Sequence, residues 1–209
     1  MATLRLSRGE YWLLNNAIRA WTPFYNLADE PSKLAVDYNK KPHGMSRSEL
    51  IDTLTDLFDR GWIVAPEGDA AGDPPVQLSR ETITSYIDQR QFGWYGLTAL
   101  GGAVWEAFAV PDWARYIDIS WGNPADGGEL IGGSHDLVRL YLLTVHYFGY
   151  HVVAGSQRQE EIRPWHPTYW KLLPVGYRTR FDFTYEKTHV DWGEIPHKYM
   201  TLNNWYEWR

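Results

Sequence analysis

The stretch SRSELIDTLTDLFDRGWIV, residues 46–64, decides how the first half of this chain is built. Ser46 and Glu49 stand at capping-box spacing, where a hydroxyl and a carboxylate satisfy two backbone N–H groups that a helix start leaves open. Leu50, Ile51, Leu54, Leu57 and Phe58 then recur at helical period on one face, and Gly61 ends the run. The opposite face carries Glu49, Asp52, Asp56 and Asp59 at spacings of three, four and three, against Arg47 and Arg60 near the ends. Such spacing predicts an amphipathic helix with an acidic outer stripe.

Upstream, SRGEYWLLNNAIRAW (residues 7–21) repeats the device, with Ser7 and Glu10 as the box and Leu13, Leu14, Ala17, Ile18 and Trp21 at helical period. The segment between these helices is polar, with a short helix expected over residues 33–38. Downstream, residues 66–77 (PEGDAAGDPPVQ) read as a loop by their Gly, Pro and Asp content. SRETITSYIDQR from Ser79 reads as a helix, WYGLT as a short strand, and LGGAVWEAF as a helix ending near Pro111.

This order, carried most specifically by LIDTLTDLFDRGWI and YGLTALGGAVWE, resembles the winged-helix regulators of the MarR and PadR type over about residues 7–108. The resemblance implies a recognition helix over residues 46–60 and a wing that here contains an inserted helix between Asp69 and Gly93. It also implies DNA binding, but an acidic stripe, and a wing carrying Glu67, Asp69 and Asp73, would repel phosphates. PTYWKLLPVGYRTRF, LTALGGAVWEAF and PDWARY together also resemble a family of uncharacterised bacterial proteins, a resemblance that implies no activity and no functional residue.

After residue 113 the texture changes. YIDISW reads as a strand, NPADGGELIGG as loop, HDLVRLYLLTVHYFG as a buried helix capped by Ser134 and Asp136, and HVVAG as a strand. From Tyr177 to Glu186 polarity alternates strictly, with Tyr177, Thr179, Phe181, Phe183 and Tyr185 on one face and Arg178, Arg180, Asp182, Thr184 and Glu186 on the other. That is a half-buried strand. The aromatic tail, TLNNWYEWR, is expected to dock. The fold class is therefore α+β, with a winged-helix-like unit over residues 1–116 and a smaller α+β unit over 117–209.

Composition narrows function. The chain has 209 residues, a net charge of −6, 12 Trp and no Cys. An acidic balance disfavours general nucleic-acid affinity. No apolar run approaches the ~18 residues of a membrane span, and MATLRLSRGEYW lacks the pattern of a secretory signal. A cytoplasmic protein without cofactor is expected. The absence of Cys rules out a thiolate metal site. His189, Asp191, Glu194 and His197 bring metal-ligating types together, but Pro196 and the spacing do not fit a helical zinc pair, so no metal is expected. No G-x-S-x-G elbow or P-loop is present. In Ser134-His135-Asp136 consecutive side chains diverge, which fits a helix cap better than a triad.

The residues 163–181, RPWHPTYWKLLPVGYRTRF, interleave aromatic and basic side chains. Core packing beneath a solvated charged face accounts for them, and so does a binding surface made of Trp165, His166, Tyr169, Trp170, Arg178 and Arg180. The leading expectation is a non-enzymatic protein-binding module of the immunity-protein or antitoxin kind, meeting a basic partner through Glu49, Asp52, Asp56 and Asp59. A winged-helix DNA-binding regulator is the alternative. An enzyme built around His166, Tyr169 and Arg178 comes third.

Overall fold

The computed structural model describes residues 5–28, 43–67, 74–122, 127–187, 195, 202 and 204–206, with the side chains of Ala28 and Trp121 excepted. The expected helix over 33–38 and the group His189, Asp191, Glu194 and His197 lie outside the described residues. Helices and antiparallel sheets are both present, so the chain is α+β. It divides into Met1–Val110 with Thr168–Trp170, and Pro111–Pro167 with Lys171–Arg209. The boundary thus falls at Pro111 instead of Tyr116, and a short piece of the aromatic–basic stretch belongs to the first unit.

In the first unit, helices α1 (Arg8–Asn16), α2 (Tyr25–Ala28), α3 (Arg47–Asp59), α4 (Arg80–Ile87) and α5 (Ala99–Ala109) accompany strands β1 (Thr22–Pro23), β2 (Ile63–Pro66), β3 (Pro75–Val76) and β4 (Trp94–Leu97). Both expected capping boxes form, Ser7 with Glu10 and Ser46 with Glu49. The strands make one antiparallel sheet in the order β1-β4-β2-β3. Leu13, Leu14, Leu54, Leu57, Phe58, Ile63, Ile83 and Tyr95 form its core. Trp105 is fully buried and its indole N–H donates to Asn15 Oδ1 at 3.1 Å, which meets the partner requirement of a buried indole.

In the second unit, β5 (Ile117–Trp121), β6 (Gly128–Gly132), β8 (Arg158–Ile162) and β9 (Gly176–Phe181) form an antiparallel sheet in the order β5-β6-β9-β8. Strand β7 (Tyr150–Val152) pairs with β10 (Phe183–Tyr185). Helix α6 (His135–Leu142) lies on one sheet face, burying Leu137, Val138 and Leu142 against Ile117, Leu130, Phe181 and Phe183. Two expectations need correction. GELIG is strand β6 and not loop, and the apolar run after Ser134 is a short α-helix followed by a 3₁₀ turn, Val145–Phe148. The alternation from Tyr177 runs through Thr184, with Thr179, Phe181 and Phe183 buried while Arg180, Asp182 and Thr184 are exposed. Tyr185, expected on the buried face, is exposed, and the run is divided between two strands, β9 and β10, in separate sheets. In the tail, Leu202 and Trp205 are buried, the Trp205 ring 4.7 Å from that of Trp113 and 4.9 Å from that of Tyr116.

Candidate functional site

Helix α3 presents its polar face to solvent, and α4 packs along it. The acidic residues are held in different ways. Glu49 turns back to the helix start, where its carboxylate accepts from Ser46 N at 2.8 Å and from the Ser46 hydroxyl at 2.7 Å. The hydroxyl's hydrogen bond, seconded by the backbone one, lowers the Glu49 pKa and keeps it ionised. Asp52 pairs with Arg80 of α4, and Asp56 with Arg60, which also reaches Glu10 at 2.9 Å. At the other end of α4, Asp88 receives Arg47 and Arg90. Asp59 is exposed and makes no ion pair among the described residues.

Sequence reasoning put the four carboxylates on one face and paired Glu49 with Ser46, but missed Arg80 as the partner of Asp52. Arg80 and Asp88 sit far along the chain from α3, and nothing in residues 46–60 signals that an inserted helix will be laid against them. The Asp52–Arg80 and Asp56–Arg60 pairs are solvent-exposed on both sides, so each is worth at most about 1 kcal/mol and is readily exchanged for another partner's charge, whereas Asp88 and Glu10 are largely covered.

The residues from 163 to 181 are divided between the two units. Trp165 is buried and bridges in antiparallel fashion to Leu173. Its ring lies over Gly176, where any Cβ would strike it, so the start of β9 is glycine of necessity. Tyr169 and Trp170, unlike Trp165, belong to the first unit. There the Tyr169 hydroxyl donates to Ala17 O at 2.6 Å and accepts from Leu97 N, while the Trp170 indole donates to Ile18 O at 2.9 Å. Desolvation of its hydroxyl raises the ionisation of Tyr169, although the residue is 37 % exposed overall, and full burial raises that of Tyr95, both above the ordinary tyrosine value near 10. A hydroxyl committed to two backbone groups and held neutral is a structural anchor. His166 is exposed.

Arg178 and Arg180 project from the sheet face opposite α6. Arg178 reaches Glu160 at 2.9 Å and Glu129 at 3.1 Å, and Arg180 reaches the same two carboxylates at 3.6 and 2.9 Å. The hydrogen bond from Arg178 leads the causes that lower the pKa of Glu160. Beside this network a shallow cleft of about 380 Å³ is lined by Ser120, Glu129, Ser156, Arg158, Arg180 and Asp182. Its charges are of both signs, and the Ser156 hydroxyl already donates to Val153 O at 2.7 Å and accepts from Asp182 N at 3.0 Å.

No protein family, curated protein or solved structure matches this chain. The geometry therefore stands alone. Among the described residues no group of three or more metal-ligating side chains occurs, and no helix is long and apolar enough to cross a membrane. Ser134 caps α6 by accepting from Leu137 N at 3.2 Å, whereas His135 turns to Gln159 at 2.8 Å, so Ser134-His135-Asp136 does not converge. The Thr98 hydroxyl likewise accepts from Gly101 N at 3.0 Å while donating to Gly61 O at 2.7 Å, which fills the start of α5.

Proposed function

We propose that this chain is a non-enzymatic protein-binding module, of the immunity-protein or antitoxin kind, whose α3 face meets a basic partner protein. The observation that carries the reading is the placement of α4. The winged-helix resemblance of the sequence would make α3 the groove-reading element. Yet α4 lies along α3 and engages Arg47 through Asp88, and Arg60 is engaged by Asp56 and Glu10. The cations of the recognition position are thus already matched by carboxylates, and Glu49 and Asp59 add exposed negative charge. A surface of this sign attracts Lys and Arg of a protein, steering encounter and fixing orientation. A duplex is repelled.

The alternative is a winged-helix regulator contacting DNA through Arg178 and Arg180, and duplex binding followed by fluorescence anisotropy across a salt series separates the two. Negligible affinity even at low salt is expected. Tight binding with a steep salt slope would replace the protein-binding reading with the regulator.

A further inference from the structure

The second unit's sheet ends in two edge strands of different character. At one edge, β8 is exposed over Arg158–Glu161 and carries three charged side chains in five residues, the composition that discourages further pairing. At the other edge, β5 has Asp118 as its single charge.

The direction of the β5 backbone groups follows from its register. In an antiparallel ladder, hydrogen-bonded pairs alternate with non-bonded ones. Gly133 N donates to Tyr116 O at 2.9 Å and Gly122 N to Gly127 O at 3.2 Å, and Asp118 faces Ile131 and Ser120 faces Glu129 between them. The even-numbered residues therefore bond to β6. Ile117, Ile119 and Trp121 turn their N–H and C=O groups to the edge that no described strand covers. One of these donors is met locally: Ile119 N–H reaches the Asp118 carboxylate at 3.0 Å, on the exposed side.

We infer that a second copy of this chain pairs here, β5 against β5 in antiparallel fashion about a two-fold axis at Ile119. That register is self-complementary. Ile119 meets its own equivalent and Ile117 meets Trp121, all three through outward-facing backbone groups, which gives three doubly bonded pairs. Asp118 lies opposite Ser120 of the second copy, so no like charges face each other, whereas an axis at Asp118 would oppose two carboxylates. The Asp118 carboxylate releases the Ile119 N–H when the strands meet and occupies it when they part. This interface is independent of the α3 face, so the two proposals stand or fall separately.

The test is sedimentation velocity over a concentration series in about 0.15 M salt, where the mutual repulsion of two acidic chains is screened beyond roughly 8 Å. The mass is expected to rise from that of one chain, 24.3 kDa, to twice that value. Ile119→Pro removes a donor that the parent sheet does not use and is expected to hold the mass at one chain. Amide-resolved hydrogen exchange on the wild type decides the matter independently of how that variant folds. The Ile117, Ile119 and Trp121 amides should slow as concentration rises, while those of Asp118 and Ser120 are protected throughout. A single-chain mass at every concentration, or a dimer in which the three odd-numbered amides exchange unchanged, would overturn the proposal.

Discussion

Tyr169 is the residue that most changes how the aromatic–basic stretch is understood. Its hydroxyl joins Ala17 O and Leu97 N, two backbone groups of elements far apart in sequence. Tyr169→Phe leaves both without that partner and should cost about 1–3 kcal/mol in urea unfolding. The same residue gives a pH dependence. Because the folded ionisation is raised, its stabilising contribution is complete below the ordinary value near 10 and falls away as pH rises above it, since the unfolded chain releases the proton first. Alkaline unfolding followed by far-UV circular dichroism should therefore begin near that value and be shallower in Tyr169→Phe. Val110 offers a change in the other direction. It ends α5 with φ of 48°, a left-handed conformation that a β-branched side chain resists. Val110→Gly should raise stability by about 1 kcal/mol, read as a higher urea midpoint with an unchanged slope.

At the scale of elements, what the sequence made legible depended on whether the signal was local. Helices α1 and α3 announce themselves because the capping box and the three-and-four spacing lie within a dozen residues. Strand β9 does so by its alternation. Strand β6 was hidden, since GGELIGG has the glycines of a loop, and those glycines have a tertiary cause. A Cβ on Gly128 would come within 2.6 Å of the Phe181 ring, and one on Gly132 within 2.9 Å of Val138. Gly128→Ala should accordingly cost about 1–3 kcal/mol by overpacking, measurable as a lower denaturation midpoint. Strand β8 was missed for the opposite reason: it is an exposed edge whose residues carry no alternation to read. The acidic stripe was legible, but Arg80 of α4, which meets it at Asp52, was not, because an ion pair across two helices follows from packing and leaves no mark in either helix alone.

Across the whole molecule, the charge balance gains meaning from its arrangement. The chain is acidic overall, yet Arg178 and Arg180 are matched by Glu129 and Glu160, so these two arginines of the basic stretch are paired within the second unit. The α3 face keeps exposed carboxylates whose intramolecular pairs are weak enough to be exchanged. The most direct test of a protein partner on that face is affinity capture from the native host at moderate salt, comparing the tagged wild type with the double variant Asp52→Lys, Asp56→Lys, both verified as folded. The account predicts one basic protein retained in stoichiometric amount by the wild type and lost from the variant. Equal retention by both, or capture of nucleic acid that leaves as salt is raised, would contradict it.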